Sequence, residues 1–418
     1  MSHFNIRCRK CGKVLQEVYC AFCEHCKDAL LVTDYKEEEF REDRGEGIWR
    51  FNWIPVHSPD FHQNGPVIYR SKGLAGDLGL ENLYIAFNGY WPEKGAAIES
   101  CTFKEFEAGV VLQNARENSV EGLVVASAGN TARAFAHLSV ISNFPVIIVV
   151  PKMCLLEMWY LESSLVVPTF ALEDGDYADS IDVAKRISQT INMPFEGGVK
   201  NIAKRDGLGV VMLEAVSEIG TLPDHYFQAV GSGTGAIGVW EMSERFLRDG
   251  RYGAKLPQLH LAQNLPFAPM PKAWQRGSRE LDKQDLRPEL ISEITTRVLS
   301  NRYPAYSVKG GVYDALRATD GRMYGIENDE VFKAMEEFAE AEGIDIVPAS
   351  GVAVAALSRA IKEEHVKRDE LVLLNITGGG EERFRKEKGV HIVKPRFISK
   401  EISDSEIEEI VCGIRKTS

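Results

Sequence analysis

Apolar residues recur along most of this chain in short continuous runs, each separated from the next by a turn and a stretch of helical spacing. The run Val146–Pro151 is apolar throughout, which is typical of a parallel strand buried on both faces. Residues 103–118 instead place apolar side chains three or four positions apart, which predicts a helix. Further strands are predicted at 83–87, 122–126, 169–172, 226–230, 259–263 and 371–375. This alternation predicts an α/β fold with mostly parallel sheets covered by helices on both faces.

Size and charge exclude several classes of protein. The 418 residues are enough for two domains with a well-buried core. A net charge of -12 argues against non-specific nucleic-acid binding, because a polyanion would be repelled, but a locally basic pocket could still receive a small anion. No apolar run approaches the roughly 20 residues that span a bilayer, and the N-terminus lacks a signal pattern. We therefore expect a cytoplasmic protein with no membrane contact.

The N-terminus is rich in cysteine, with five of the eight cysteines in the first 26 residues. Without a secretory signal, Cys-x-x-Cys knuckles indicate a zinc site rather than disulfides. We predict that a structural Zn²⁺ is held by Cys8, Cys11, Cys23 and Cys26, with Cys20 as a spare or a substitute. Four thiolates would leave no open position for chemistry. The alternative is a ribbon-shaped module that binds no metal.

A glycine-rich loop, Gly231-Ser232-Gly233-Thr234-Gly235, lies between a predicted strand and a predicted helix. Its glycines let the backbone approach a phosphate closely, and its N–H groups and the helix N-terminus would point at that phosphate. Ser232 and Thr234 can add hydroxyl donors. A close-packed structural turn is the alternative for this loop.

Two further segments carry candidate chemistry. The turn Ser127-Ala128-Gly129-Asn130-Thr131 also opens a helix, so its N–H groups suit a carboxylate, although a helix cap by Ser127 or Asn130 is a common alternative. Lys104 stands among apolar residues at a helix start. Most such lysines lie on the surface, but a buried one loses its proton more readily and can form an imine.

In combination and in order, these loops resemble the tryptophan-synthase-type (fold type II) pyridoxal phosphate (PLP) enzymes. The motifs that carry the resemblance are Thr102-Phe103-Lys104, the two turns Ser127–Thr131 and Gly231–Gly235, and Thr377-Gly378-Gly379-Gly380. Within that fold the chain is similar to threonine synthases over nearly its whole length, including the N-terminal ribbon. The resemblance implies two parallel-sheet α/β lobes plus a small N-terminal zinc-ribbon-like module.

The resemblance also implies a division into domains. We expect the ribbon-like module at 1–34, a large PLP-binding domain formed by 35–103 and 205–418, and a small mobile domain at 104–204. The fold often forms dimers, so a homodimer is one assembly to expect, although the sequence itself does not reveal the oligomeric state.

Roles for individual residues follow from the resemblance. It implies that Lys104 forms the imine with PLP, that Asn130 donates to the phenolic oxygen of the cofactor, and that Thr377 lies at its pyridine nitrogen. A hydroxyl at that nitrogen cannot protonate the ring as an aspartic acid would, which favours elimination. The cofactor phosphate would be held by Gly231, Ser232, Gly233, Thr234 and Gly235. The substrate carboxylate would be held by Ser127, Ala128, Gly129, Asn130 and Thr131.

Several positions depart from threonine synthases. Where that family tends to read Asn-Ser-x-Asn-Pro-x-Arg for the substrate phosphate, this chain keeps Asn201, has a cation at Lys204 and gains Lys200. We treat these three as candidate substrate residues and Arg205 as a further cation, although a solvated face is the commoner role for such side chains. Together with changes around Lys104 and after Gly380, these departures argue against threonine synthesis.

The overall pattern is closest to the cysteate synthase family of coenzyme M biosynthesis. That resemblance implies a β-replacement in which O-phospho-L-serine and sulfite give L-cysteate and phosphate, with Lys104 taking and returning the α-proton. The alternatives are a threonine synthase acting on O-phosphohomoserine and, from another class, a non-catalytic PLP-fold protein that senses a ligand.

Overall fold

The computed structural model describes residues 2–15 and 20–415. Its strands are β1 (Phe4–Cys8), β2 (Val14–Leu15), β3 (Leu31–Tyr35), β4 (Val67–Arg70), β5 (Asn82–Trp91), β6 (Ala96–Ala97), β7 (Leu123–Ala126), β8 (Val146–Pro151), β9 (Trp159–Tyr160), β10 (Thr169–Leu172), β11 (His225–Ala229), β12 (Gln258–Asn264), β13 (Arg322–Ile326), β14 (Leu371–Gly379), β15 (His391–Ile392) and β16 (Arg396–Ile398).

Helices connect most of these strands. They are α1 (Gly73–Leu78), α2 (Lys104–Glu117), α3 (Asn130–Ile141), α4 (Tyr177–Thr190), α5 (Ile202–Ile219), α6 (Thr234–Asp249), α7 (Pro269–Gln275), α8 (Val312–Ala318), α9 (Asn328–Glu342), α10 (Pro348–Lys362), α11 (Glu381–Lys388) and α12 (Asp404–Arg415). Among the described residues, no helix is both long enough and apolar enough to cross a membrane.

The larger sheet has the order β13-β12-β11-β14-β5-β4, and its neighbouring strands are parallel except for the antiparallel pair β4 and β5. Helices cover both faces. On β14, Leu373 packs into one apolar cluster while Val372 and Leu374 pack into the other. Because successive side chains of a strand point to opposite faces, a strand buried on both sides must be apolar at every position. This explains the continuous apolar run at 371–374.

The smaller sheet has the order β16-β10-β8-β7, and all its strands are parallel. Its last strand comes from the C-terminal part of the chain, where Ala171 pairs with Phe397. Helix α12 then packs against α4 beside this sheet. The pairing of β16 differs from the expected division, which placed all of 205–418 in the large domain. A short strand such as β16 has too few apolar residues for the sequence to indicate which sheet it joins. Its position is therefore determined by tertiary contacts.

The N-terminal module is an antiparallel sheet of order β2-β1-β3. Buried hydrogen bonds and an ion pair connect this module to helices α5 and α6. Asp206 on α5 accepts hydrogen bonds from Thr33 at 2.5 Å and from Tyr35 at 2.9 Å, and it pairs with Arg245 on α6 at 2.9 Å. These contacts hold β3 against α5 and α6.

A chain of buried polar rings crosses β11, β12 and β13 in the larger sheet. Glu370 lies 2.9 Å from His225 Nε2, His225 Nδ1 lies 3.0 Å from His260 Nε2, and His260 Nδ1 lies 2.9 Å from the Tyr324 hydroxyl. The His260 ring also stacks on Phe227, with 4.2 Å between the ring centroids. Burial lowers the pKa of His260 well below its usual range, and nearby positive charge acts in the same direction. The folded protein therefore keeps this ring neutral.

Replacing His260 by glutamine should make the free energy of unfolding fall less steeply as the pH decreases. The unfolded chain protonates this ring near its ordinary pKa, while the folded ring resists protonation. The contribution of His260 is therefore present above that pKa and is lost as the pH falls, at up to about 1.4 kcal/mol per pH unit. Urea unfolding between about pH 7 and about pH 5 measures this slope. The exposed His391→Gln is the control, and equal slopes in both variants and the wild type would contradict the prediction.

Candidate active site

The segment that carries Lys104 is attached to the end of β14. The Phe103 N–H donates to the Thr377 carbonyl at 3.0 Å, and Thr102 pairs with Gly378 in an antiparallel bridge. Lys104 is the first residue of α2. These backbone bonds hold the lysine beside the last residues of a central strand, where α/β proteins place their ligands.

One cavity brings together most of the residues predicted to bind a cofactor. Its lining includes Lys104, Ser127, Ala128, Asn130, Thr131, the whole of Gly231–Gly235 and Thr377, together with Phe103, Tyr177, Gln228 and Ala349. The turns enter it from the carboxyl ends of β7, β11 and β14. Since β7 belongs to the smaller sheet and β11 and β14 to the larger one, the cavity lies where the carboxyl ends of strands from both sheets meet.

The glycine-rich loop forms the open N-terminus of α6. Gly233 is the N-cap residue with φ of +83°, and a Cβ there would lie 2.2 Å from Val312 Cγ2. At Gly231 a Cβ would lie 3.1 Å from the Leu299 Cα. The loop therefore has no room for side chains at these positions, and its backbone N–H groups stay accessible to an anion.

The turn at 127–131 is built differently. The Ser127 hydroxyl accepts hydrogen bonds from the N–H groups of Gly129 at 3.0 Å and Ala132 at 2.9 Å, so its side chain is occupied in shaping the turn. Gly129 has φ of +128°, and a Cβ there would come within 2.7 Å of the Glu157 Cβ. The side chain of Ser127 thus takes the capping role that the sequence left open, and Ser127, Ala128, Asn130 and Thr131 line the cavity while Gly129 does not.

The Lys104 side chain is only 20% exposed and does not extend into bulk solvent. Its Nζ lies 2.9 Å from Glu107 Oε2, one helical turn further along α2, and 4.8 Å from the centroid of the Phe103 ring. Sequence reasoning missed Glu107, because a lysine and a glutamate three positions apart on a helix are usually a solvated surface pair. The apolar residues that surround this pair in the sequence were the available signal.

Glu107 is fully buried and has further partners. Its Oε1 lies 3.0 Å from Lys204 Nζ, and it accepts a hydrogen bond from the Thr131 hydroxyl at 3.0 Å. Lys204 also pairs with buried Glu196 at 3.1 Å. Burial opposes ionisation of Glu107, but the charges of Lys104 and Lys204 outweigh it and hold the pKa of this carboxyl below its usual range. The carboxylate is therefore ionised inside the protein.

The other candidate substrate residues lie apart from the cavity. Lys200 is exposed at the end of the 3-10 turn Gly198–Lys200. Asn201 caps α5 by accepting from the N–H groups of Ala203 and Lys204, and it donates to the Glu196 carbonyl at 2.8 Å. Arg205 is fully buried and pairs with Glu241 at 3.1 Å. Of the residues that the structure describes as lining the cavity, none is Lys200, Asn201, Lys204 or Arg205.

The N-terminal cysteines form a compact group. The Sγ atoms of Cys8, Cys11, Cys23 and Cys26 all lie within 4.8 Å of one another. Four thiols at this spacing on two knuckles fit a tetrahedral Zn²⁺ with no open position. The group comprises the same four residues that the spacing predicts.

The residues around the cavity fit PLP. Its phosphate would need N–H donors without side chains in the way, which the Gly231–Gly235 loop supplies, and its aldehyde would need an amine, which Lys104 supplies. Thr377 is 5% exposed and offers a hydroxyl at the end of β14. These groups belong to one cavity, as a single bound molecule requires.

Comparison with known sequences shows which proteins this chain is similar to. Residues 70–378 match the family model described as pyridoxal-phosphate dependent enzyme. A cysteate synthase from Methanosarcina barkeri is 46% identical over 402 residues, which cover 94% of this chain and 96% of that protein. One from Methanocella paludicola is 45% identical over 402 residues, covering 94% of each.

Solved structures show the same fold at low sequence identity. Diaminopropionate ammonia lyase from Escherichia coli superposes with a TM-score of 0.59 at 16% identity, covering 78% of this chain and 88% of that one. Maize serine racemase gives 0.55 at 14% identity, covering 75% and 88%. The predicted α/β fold with parallel sheets is confirmed.

Gly233→Ala should destabilise the protein and weaken retention of PLP, because the new methyl group would overlap Val312. Gly220→Ala is the matched control, since φ there is +82° but no atom lies within 4 Å of the added Cβ. A left-handed alanine costs about 1 kcal/mol at either site. Thermal unfolding and bound-cofactor absorbance measure both effects. Identical losses in the two variants would show that the close approach at Gly233 has no consequence.

Cys23→Ser should abolish zinc binding and lower the melting temperature, because a tetrahedral site would lose one of its four thiolates. The buried Cys154→Ser is the control, as it removes a thiol that is not one of the four. Metal content by mass spectrometry, measured beside thermal unfolding, gives the result. Zinc retained in full by Cys23→Ser, or absent from the wild type, would exclude this ligand set.

Proposed function

We propose a reaction for this site from the premise that the chain belongs to the cysteate synthase family, within the pyridoxal-phosphate dependent enzymes. In this reaction the phosphate of O-phospho-L-serine is replaced by sulfite to give L-cysteate and inorganic phosphate. The observation that carries the proposal is the 46% identity to a cysteate synthase over 94% of the chain. The cavity beside Lys104 supports it with groups suited to each part of the substrate.

Each group of the cavity has a proposed task. PLP supplies an electron sink for the negative charge that develops at the α-carbon of a bound amino acid. Lys104 holds the cofactor and moves the proton at that carbon. The Gly231–Gly235 loop binds the cofactor phosphate, Thr377 lies at the pyridine nitrogen, and the backbone of Ser127–Thr131 binds the substrate carboxylate.

We infer a source of positive potential for the cavity other than the cations Lys200, Lys204 and Arg205 that the sequence suggested. Both substrates are anions and the chain carries a net charge of -12, so the cavity must attract anions locally. Lys204 and Arg205 are engaged in buried ion pairs with Glu107 and Glu241. The N-termini of α3 and α6 begin at residues that line the cavity, and their free N–H groups favour negative charge. Because the start of α6 is assigned to the cofactor phosphate, we assign the attraction of the substrate anions to the start of α3 together with Lys104.

Phosphate release from each candidate phosphoester tests the reaction. The protein loaded with PLP is incubated with O-phosphoserine or O-phosphohomoserine, with and without sulfite. We expect phosphate from O-phosphoserine, and cysteate only when sulfite is present. Turnover of O-phosphohomoserine alone would replace the proposed reaction by threonine synthesis.

Lys104→Ala tests the role of the lysine in the same assay. This variant should lose the visible absorbance of the bound cofactor and at least about 10³-fold of the activity, since it removes both the anchor and the proton carrier. Lys333→Ala removes a lysine whose side chain is 72% exposed on α9 and should change neither reading. Full activity of Lys104→Ala would exclude Lys104 as the catalytic group.

A further inference from the structure

A buried carboxylate beside the cavity, that of Glu107, has no task in the proposed reaction. Glu107 belongs to a row of alternating charges in the order Lys104, Glu107, Lys204 and Glu196, joined by contacts of 2.9, 3.0 and 3.1 Å. The two carboxylates are 0% and 2% exposed and Lys204 is 6% exposed. The row is electrically balanced, with two positive and two negative groups.

The four charged side chains differ in the contacts that fix their positions. Lys204 lies between both carboxylates and is buried, so it is fixed. Glu196 is tied to the turn before α5, where it accepts a hydrogen bond from the Gly198 N–H at 3.1 Å. Lys104 alone among the four lines the cavity, so it is the member that can leave the row and return to it.

Glu107 can lose its contact with Lys104 without becoming an unpaired buried charge. Its Oε1 keeps Lys204 at 3.0 Å and the Thr131 hydroxyl at 3.0 Å, while its Oε2 is the atom that contacts Lys104. An ionised carboxylate stripped of every partner inside a protein would be strongly unfavourable. Because Lys204 remains, the Lys104 contact can be broken and re-formed at small cost.

We propose that Glu107 is a positioning residue that receives the ε-ammonium group of Lys104 whenever this nitrogen is not bonded to the cofactor. The inference rests on the proposed function, in which an amino acid takes the place of Lys104 on PLP. In that exchange the new bond joins the amino-acid nitrogen to the cofactor carbon and the bond from Lys104 to that carbon breaks. The incoming ammonium gives up two protons, and the Lys104 nitrogen, which carries one proton in the protonated imine, gains two and leaves as an ammonium group. Glu107 stabilises the ammonium that forms and keeps it beside the cavity.

Thr131 places the same carboxylate next to the predicted substrate site. Its hydroxyl donates to Glu107, and its backbone belongs to the turn assigned to the substrate carboxylate. A substrate bound at that turn therefore lies close to Glu107, because Thr131 belongs to the turn and contacts this carboxylate. The carboxylate of Glu107 thus contacts both Lys104, which the amino acid displaces, and the turn at which the amino acid is proposed to bind.

Titration of the PLP-loaded protein with L-alanine tests the proposal at equilibrium. L-Alanine has an amine and a carboxylate but no phosphate, so it displaces Lys104 without a β-leaving group, and the visible spectrum reports the displacement. Glu107→Gln keeps the shape of the side chain and removes its charge. We expect an apparent affinity for L-alanine about tenfold weaker, because the displaced ammonium of Lys104 would lose the opposite charge that lies 2.9 Å from it, and one hydrogen bond between charged groups is worth about this factor or more.

Two further variants separate positioning from general structural support. Lys204→Met leaves Glu107 with Lys104 as its only cation in the row, so it should shift the L-alanine affinity in the opposite direction, towards tighter binding. Glu105→Gln removes a buried carboxylate on the same helical turn that accepts from the Ser100 N–H instead, and it should leave the affinity unchanged. Shifts of the same sign in Glu107→Gln and Lys204→Met would assign the row to stability alone and overturn the proposal.

A second measurement covers the case in which a variant no longer retains PLP. Acetic anhydride acylates neutral amines, and mass spectrometry of the peptide that contains Lys104 gives the extent of reaction in the full chain stripped of cofactor. Acylation at about pH 8 should be about tenfold faster in Glu107→Gln than in the wild type. Equal rates in the two would overturn the proposal.

The proposed function is tested by a separate result from the one that tests the role of Glu107. If O-phosphoserine releases no phosphate, the reaction is wrong, but the L-alanine titration and the acylation of Lys104 still report on Glu107. If both of these readings are unchanged in Glu107→Gln while phosphate is released normally, the role of Glu107 is wrong and the reaction stands.

Discussion

The first turn of α5 carries three consecutive charged residues that are all buried, and each must find a partner of opposite charge inside the protein. Lys204 pairs with Glu107 behind the cavity, Arg205 pairs with Glu241, and Asp206 pairs with Arg245. A buried charge without a partner costs several kcal/mol, so this turn can occupy only one position relative to its neighbours. Through it, α2 and α6 are held in one arrangement, and the lysine at the start of α2 is held with them.

The same turn connects the N-terminal module to the cavity. Arg205 donates to the Leu31 carbonyl and Asp206 accepts from Thr33, so β3 contacts the residues that follow Lys204. The ribbon therefore packs against the back of the helix whose first turn supplies the cation for Glu107. In this position the module completes the burial of α5 and fixes the charges there.

Sequence reasoning predicted the strands and the turns at their ends because both carry strong local signals. The run Val146–Pro151 is apolar at every position, and the loop Gly231–Gly235 has glycines where a side chain would overlap Leu299 or Val312. The cysteine group was predictable from spacing alone. The strand β16 was not, because three residues, two exposed and one buried, are too few to indicate which sheet they join.

The charged side chains around the cavity were the least predictable part of the site. Lys200, Lys204 and Arg205 look alike in sequence, yet one is exposed and two are buried with different partners. The identity of a charged residue and of its neighbours in the sequence does not indicate which carboxylate it will pair with in the folded protein. Glu107 was missed for the same reason, since its spacing from Lys104 is that of an ordinary surface pair.

The balance of these charges bears on how an acidic protein receives two anions. A cavity lined by several free cations would hold phosphate or sulfate-like ions tightly and would slow the exchange of one anion for another. Here the buried lysine and arginine are neutralised by Glu107 and Glu241, and the start of α6 is assigned to the cofactor phosphate, which leaves the N–H groups at the start of α3, where Asn130 and Thr131 line the cavity, for the substrate anions. Such donors are fixed in direction and carry only partial charge, about half a unit at each helix end. An anion is thus oriented without being bound as strongly as by a full charge, which suits a site that must release phosphate before it accepts a second nucleophile.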